Sequence, residues 1–312
     1  MPDVDPRMRR MLPRLQKGDR VALVSPASTP APEDVARAVR YLEALGLRPE
    51  VGRHASDQLK YLAGQDEDRL ADLNQAIRDP GIRAIMATRG GKGAYRIADG
   101  MDFAALAADP KFLIGSSEIT ILHLAVWEHC RIPGIHGAPW DQSFGAGSAA
   151  SFLHAVFRSE PVVLHSRGDE PTIALTTSGR VEGILLGGNQ DSIATAAGWV
   201  LPELAGSILL LEAFNLRLGH IDRQLTMLTK AGHFEGLVGV AVGQYTQCGA
   251  QASTSADSDT LWILRDRLGP LGVPILGGLP IGHGADPRAV PVGTWATLDA
   301  DAGWLEVAPA AS

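Results

Sequence analysis

Two turns in this sequence carry side chains that can do chemistry. In "IGSSEIT" an apolar run ends at Gly115, and an apolar helical pattern starts at Ile119. Ser116, Ser117 and Glu118 sit on the corner between them. A serine at a strand-to-helix turn exposes its hydroxyl, and the N–H groups that follow it point outward from a helix start, where they can receive an oxyanion. That is the logic of a nucleophile elbow, although Ile119 stands where the pattern G-x-S-x-G would have its last glycine. A second reading is equally physical: a helix-capping serine with Glu118 in the first turn stabilises a helix without catalysis. The other corner is "TRGGKGAYR", where Gly90 and Gly91 offer close backbone approach and N–H donors, or a plain turn.

A serine nucleophile needs a base, and the base needs a carboxylate to orient it. Among nine histidines there is no H-E-x-x-H pair, so a metal hydrolase is not expected. His283, in "GGLPIGHGADPRAVPVG", lies in a Gly/Pro-rich loop and is the best placed as a base. His123 and His129 fall on the apolar run after the serines, where packing or surface roles are expected. Glu212 ends the apolar run "SILLLEA", an unusual place for a carboxylate unless a strand delivers it to a site. "RGGKG" lacks the P-loop spacing. "GAGSAA" at Gly145 follows no convincing strand, so no dinucleotide site is expected.

The elements that must position these groups follow from periodicity. "RVALVSPAS", "RPEVGRH", "IRAIMATRGG" and "KFLIGSS" read as strands, and "PEDVARAVRYLEALG", "DEDRLADLNQAIRDPG" and "EITILHLAVWEHC" as helices between and after them. The alternation predicts a mostly parallel α/β sheet over residues 1–165, carrying the serine. "SRGDEPTIALTTSGR" reads as a linker. Residues 180–312 then read as a second, β-rich domain carrying Glu212 and His283, with "GHIDRQLTMLTKAG" as a helix and "GTWATLDADAGWLEV" as a terminal hairpin. The site would lie in the cleft between the domains.

The 312 residues suit two domains, and 45% hydrophobic with 20% charged residues is ordinary globular composition. A net charge of −7 argues against nucleic acid as a partner. The arginine-rich start lacks the apolar core of a signal peptide, and no run is long enough to span a bilayer, so a cytoplasmic location is expected and no membrane association. Cys130 and Cys248 form no close pair and are expected to be buried and free.

The segments "KGDRVALVSPAS", "ATRGGKGAYRI", "IGSSEIT", "IHGAPW", "GILLGGNQDSI", "ILLLEAFN", "HIDRQLTML" and "LPIGHG…VPVGTWATLD", in this order and spacing, resemble the LD-carboxypeptidase family of serine peptidases, which includes the microcin C self-immunity peptidases. The resemblance implies a Rossmann-like N-terminal domain, a β-rich C-terminal domain, a homodimer, and a Ser-Glu-His triad without cofactor or metal. It selects Ser117 over Ser116 as nucleophile, with Glu212 and His283 completing the triad. Gly90, Gly91 and the Glu118 N–H are then the oxyanion donors, and Arg89, Lys92 and Ser116 the groups facing a small peptide-like substrate. Three residues depart from the family pattern: Ser116 replaces an aromatic, Glu118 an aspartate, and Lys92 an aromatic. The resemblance therefore implies cleavage of an amide near a free carboxyl end and leaves other ends open. These are a peptidyl-nucleotide antibiotic, an amide hydrolase or acyl transferase of natural-product biosynthesis, or a binding protein with an idle triad.

Overall fold

The computed structural model describes residues 11–137, 145–249 and 256–312. The first residues of the arginine-rich start and the last three of "IHGAPW" lie outside this set. The chain opens with β1 (Arg20–Val24), buried beyond its first residue. In α1 (Pro32–Ala44), Pro32 and the acidic Glu33 and Asp34 occupy the first turn, and Val35, Ala38 and Leu42 form the buried stripe. An edge strand, β2 (Arg48–Val51), is followed by α2 (Asp66–Arg78), acidic at its start and basic at its end as the helix dipole favours. Next come β3 (Ile82–Ala87), α3 (Phe103–Ala108), β4 (Phe112–Gly115) and α4 (Ile119–Cys130). Helix α4 is buried on nearly every side, because the second half of the molecule covers the face that would otherwise meet water. The first half ends with β5 (Gly134–His136), α5 (Ala146–Phe157) and β6 (Val162–His165).

The second half contains β7 (Arg180–Asn189), α6 (Gln190–Ala196), β8 (Ser207–Phe214), α7 (Leu218–Lys230), β9 (Gly239–Thr246), α8 (Ala256–Leu268), β10 (Ile275–Leu276), β11 (Val290–Val292), β12 (Thr294–Asp299) and β13 (Trp304–Val307). The first sheet has the order β11-β5-β4-β3-β1-β2, parallel except for β11. The second has the order β10-β9-β8-β7-β12-β13-β6. Its first four strands are parallel, and the rest, including the expected terminal hairpin, are antiparallel. Pairing crosses the boundary expected at residue 165 in both directions: β6 joins the second sheet and β11 the first. Gly145, in the stretch read from sequence as no dinucleotide site, is the N-cap of α5.

Both cysteines are buried and neither forms a disulfide. No described helix is long and apolar enough to cross a membrane. In the first sheet the strand order reverses beside β1, which is where loops at carboxyl ends leave a crevice for a ligand. The loops after β1, β3 and β4 meet there.

Candidate active site

Strand β4 delivers the elbow. Gly115 is tight against α4, since a Cβ there would lie 2.8 Å from the Ile119 side chain. Ser117 has φ of 59°, the left-handed region that non-glycine residues enter only under constraint. The N–H groups of Ile119 and Thr120 donate to the carbonyls of Ser116 and Ser117 at 3.2 and 3.0 Å, so both serines are tied into the helix start. No side chain caps α4, so the capping role open to either serine is not used. Both are half-buried.

The glycine corner packs on this elbow. A Cβ on Gly90 would fall 2.7 Å from the Ser117 Cβ and 3.1 Å from its Oγ. The corner is held from behind by the loop after β1: the Ser28 N–H donates to the Gly90 carbonyl at 3.3 Å, and the Lys92 N–H to Ser28 Oγ at 3.0 Å. The buried Arg69 guanidinium donates to the carbonyls of Pro26 and Gly93, bracing both loops. Glu118 turns its carboxylate back into the corner, where Oε1 accepts from the N–H groups of Gly93 and Ala94 at 2.6 and 2.7 Å. Burial pushes the Glu118 carboxyl up, against the pull of these N–H groups and the Lys92 charge.

In the second sheet, β8 carries Glu212, fully buried, opposite Asn189 at the end of β7. Its Oε2 lies 2.7 Å from His283 Nδ1. Burial would raise this carboxyl, but His283's charge and hydrogen bond, with a smaller contribution from His136, hold it below the ordinary carboxylate value. The His283 loop is pinned by Gln244, whose Oε1 accepts from the Gly284 N–H at 2.8 Å. Gly282 has φ of +138°, and a Cβ there would sit 3.1 Å from Glu212 Oε2, so only glycine lets the loop approach. Phe214 stacks on the imidazole, ring centroids 5.0 Å apart.

Among the contacts that join the halves, two lie beside the elbow. The Asn189 N–H donates to Thr120 Oγ1 at 3.0 Å, one helical turn from Ser117. His136, paired with Gly115 in the sheet, presents Nε2 3.9 Å from Glu212 Oε1. The elbow, the glycine corner and the Glu212–His283 pair therefore line one seam. Arg89 and Lys92 are exposed at its edge. Arg89 donates to the Thr29 carbonyl at 3.2 Å, and Lys92 makes an ion pair with Asp191 at the start of α6. Sequence reasoning missed Asp191, Phe214, Thr120 and His136. Only His136 had a signal, as a histidine at a strand end in "IHGAPW".

A buried carboxylate bonded to an imidazole Nδ1 orients the ring for its Nε2 to act as a base, and a strained serine packed against a glycine corner at a helix start suits acyl transfer. Comparison with known proteins shows the family. Residues 21–137 match the model of the LD-carboxypeptidase N-terminal domain, and residues 182–298 that of the LD-carboxypeptidase C-terminal domain. The chain is 32% identical to the probable murein peptide carboxypeptidase of Bacillus subtilis, over 91% of this chain and 90% of that one. It is 35% identical to the murein tetrapeptide carboxypeptidase of Pseudomonas aeruginosa, over 90% and 93%. In fold it is similar to MccF, solved in complex with glutamyl sulfamoyl guanosine, with a TM-score of 0.84 at 20% identity over 97% and 99% of the two chains.

Proposed function

We propose that this chain, which belongs to the LD-carboxypeptidase family, is a serine-type hydrolase that cuts an amide bond near the free carboxyl end of a small peptide-like substrate. Relatives named as carboxypeptidases support peptidase activity at the coarser level. The observation that carries the finer reading is the buried Glu212–His283 hydrogen bond of 2.7 Å, on the same seam as a serine with φ of 59°.

In this mechanism Ser117 Oγ attacks the amide carbonyl carbon while His283 Nε2 takes the hydroxyl proton. Glu212 holds the imidazole by Nδ1 and stabilises its charged form. The N–H of Glu118, the residue after the nucleophile, and those of the Gly90-Gly91 corner receive the oxyanion. His283 then gives its proton to the leaving amine. Water, deprotonated by the same imidazole, releases the acyl group and restores Ser117. Ser116 flanks the reacting carbonyl with a small side chain. Arg89 and Lys92 are the cations on the corner that can receive a substrate carboxylate, Lys92 by exchanging Asp191 for it. The family resemblance adds a cytoplasmic homodimer with no cofactor, which sedimentation and cell fractionation test.

A fluorophosphonate should label the wild type at Ser117, located by peptide mass spectrometry, and leave Ser117→Ala unlabelled. A mass-spectrometric screen of murein peptides, aminoacyl-nucleotides and small amides then identifies the substrate. An unlabelled wild type would overturn the serine mechanism and favour an idle binding protein.

A further inference from the structure

The mechanism above uses one oxygen of Glu212. The other, Oε1, is fully buried and makes no hydrogen bond of ordinary geometry among the described residues, although the Asn189 side chain lies near the carboxylate and helps hold it low. His136 Nε2 faces Oε1 at 3.9 Å. His136 is itself 1% exposed, and neither of its ring nitrogens has a partner among the described residues. Three buried polar atoms without hydrogen-bond partners among the described residues, gathered in one place, call for an explanation.

The chain makes room for this ring. Gly188, at the end of β7, has φ of +137°, and a Cβ there would fall 3.0 Å from His136 Nδ1 and 2.6 Å from Thr120 Oγ1. The ring also bridges the halves. Its strand β5 pairs with the nucleophile strand, Gly115 opposite His136, while its Nε2 faces the carboxylate of the other sheet. The titratable groups around it are Glu212 from β8, His283 from the loop after β10 and His123 from α4, whose ring meets His136 edge-on with centroids 6.4 Å apart. Tyr245 from β9, with Cys248 beyond it, adds a hydroxyl near Glu212 that donates to Gln190 at 2.8 Å.

We infer that His136 is a positioning residue of this reaction: a neutral imidazole that directs its Nε2–H at Glu212 Oε1 and so fixes the carboxylate that orients His283. The inference rests on the Ser117-Glu212-His283 reading. Burial, opposed by Glu212 and reinforced by His283, lowers the affinity of His136 for a second proton, which keeps it neutral. Catalytic hydrogen bonds are often long before substrate arrives, and closing 3.9 Å to bonding distance needs a movement of about 1 Å. A donor on Oε1 does two things. It prevents the carboxylate from rotating away from Nδ1, and it makes Glu212 a weaker base, so the Glu212–His283 pair takes up a proton at lower pH.

The test needs no substrate. The rate of fluorophosphonate labelling at Ser117 is measured against pH in the wild type, His136→Phe and His136→Gln. The aromatic variant fills the space without an N–H, and the amide variant restores one. We expect the acid limb of His136→Phe to move up by about half a pH unit or more and its plateau to fall about tenfold, the worth of one hydrogen bond to a charged group. His136→Gln should return toward the wild-type limb. Histidine ¹⁵N NMR of the wild type gives a second readout that no variant's folding can spoil: His136 should stay neutral, protonated at Nε2, throughout the range in which the labelling rate changes. Coincident acid limbs in all three proteins, or a His136 that is charged or protonated at Nδ1, would overturn the inference while leaving the triad intact. Failure of the wild type to label at Ser117 would overturn both.

Discussion

Gly90→Ala places one methyl group against the nucleophile, and its effect can be worked out from the contacts. The new Cβ would lie 2.7 Å from the Ser117 Cβ, 3.1 Å from Ser117 Oγ and 3.1 Å from the Ser116 carbonyl oxygen. Carbon atoms pack best at about 3.5–4.0 Å, so the two must separate by about 0.8 Å. The corner cannot supply all of this, because Ser28 and Arg69 hold it from behind. Ser117 cannot rotate away freely either, since its φ of 59° is fixed by the tight Gly115 before it and the helix turn after it. The strain therefore falls on the hydroxyl's position. A misplacement of about 1 Å costs on the order of a hundredfold in rate, or about 2.7 kcal/mol in the barrier. Overpacking should cost about 1–3 kcal/mol of stability, which leaves a folded protein. The assay is the second-order rate of fluorophosphonate labelling, corrected for folded fraction by circular dichroism. Gly168→Ala, with nothing within 4 Å of the new methyl, is the control and should match the wild type. A Gly90→Ala protein that labels within twofold of the wild type would show that the glycine corner does not cover Ser117 in solution.

Ser117→Ala should lose on the order of a millionfold in turnover while Ser116→Ala stays active, and the reverse order would place the nucleophile one residue earlier. Glu212→Gln and His283→Ala should each be folded by circular dichroism yet severely slowed in labelling, and wild-type rates in either would remove that residue from the triad. For an anionic substrate, Lys92→Met should raise KM about tenfold while Asp191→Asn, which frees Lys92, should lower it; a rise in KM for Asp191→Asn would show that the pair does not compete with substrate. The two buried glutamates should respond oppositely to pH. Glu212 is held low, so its share of stability is present above the ordinary carboxylate range and is lost as pH falls through the depressed value; Glu118 is held high, so its share is present in acid and is lost as pH rises through the raised value. Urea titrations from about pH 4 to about pH 7 should therefore show Glu212→Gln falling behind the wild type and Glu118→Gln gaining on it, and slopes of the same sign would contradict these environments.

The residues legible in the sequence are those at chain punctuation. Ser117, Gly90 and His283 stand where an apolar run breaks into glycine or a helix start, and such breaks survive without a structure. Glu212 was legible for the opposite reason, as a charge at the end of a run too apolar to carry one. The helices α5, α6 and α8 were not legible. Helix α5 opens in a glycine- and serine-rich stretch, α6 has only seven residues, and "ADSDTLWILRDRL" carries no clean apolar stripe. Without α6 and α8 as crossovers, the parallel order β10-β9-β8-β7 could not be inferred, and the second half read simply as β-rich. Strand β11 is a three-residue run containing Pro291, which looks like loop; only its pairing with β5 makes it an edge of the first sheet. His136 is the instructive omission. A histidine at the end of a short apolar strand is only a faint signal, because its meaning lies in β4–β5 pairing and in a carboxylate that arrives from the other sheet.

Ser116, Glu118 and Lys92, the three residues expected from the sequence to depart from the family pattern, surround one part of the seam, and two are connected through it. Glu118 Oε1 grips the N–H groups of Gly93 and Ala94, the two residues after Lys92. A carboxylate on a longer arm than aspartate can reach that loop from the helix start. The loop, so held and braced by Arg69, turns the Lys92 side chain toward the second half, where an aromatic ring would have no ionic partner. Asp191 receives it and is itself held by Gln224 at 2.6 Å; Gln224 accepts from Gln190 at 2.9 Å, and Gln190 from Tyr245 at 2.8 Å. This polar chain runs from the exposed edge of the seam to the half-buried end of β9, near Glu212. An exposed ion pair adds little to stability, so its consequence lies in geometry and recognition. It fixes the separation of the two loops between which a substrate must enter, and it keeps a cation at the mouth that a stronger anion can take over. The half-buried Ser116, beside the nucleophile, removes the bulk an aromatic would place there. On the proposed reading, a smaller side chain at the reacting carbon and a charged pair at the rim should together select by charge at the entrance, where an aromatic-lined cleft would select by apolar contact.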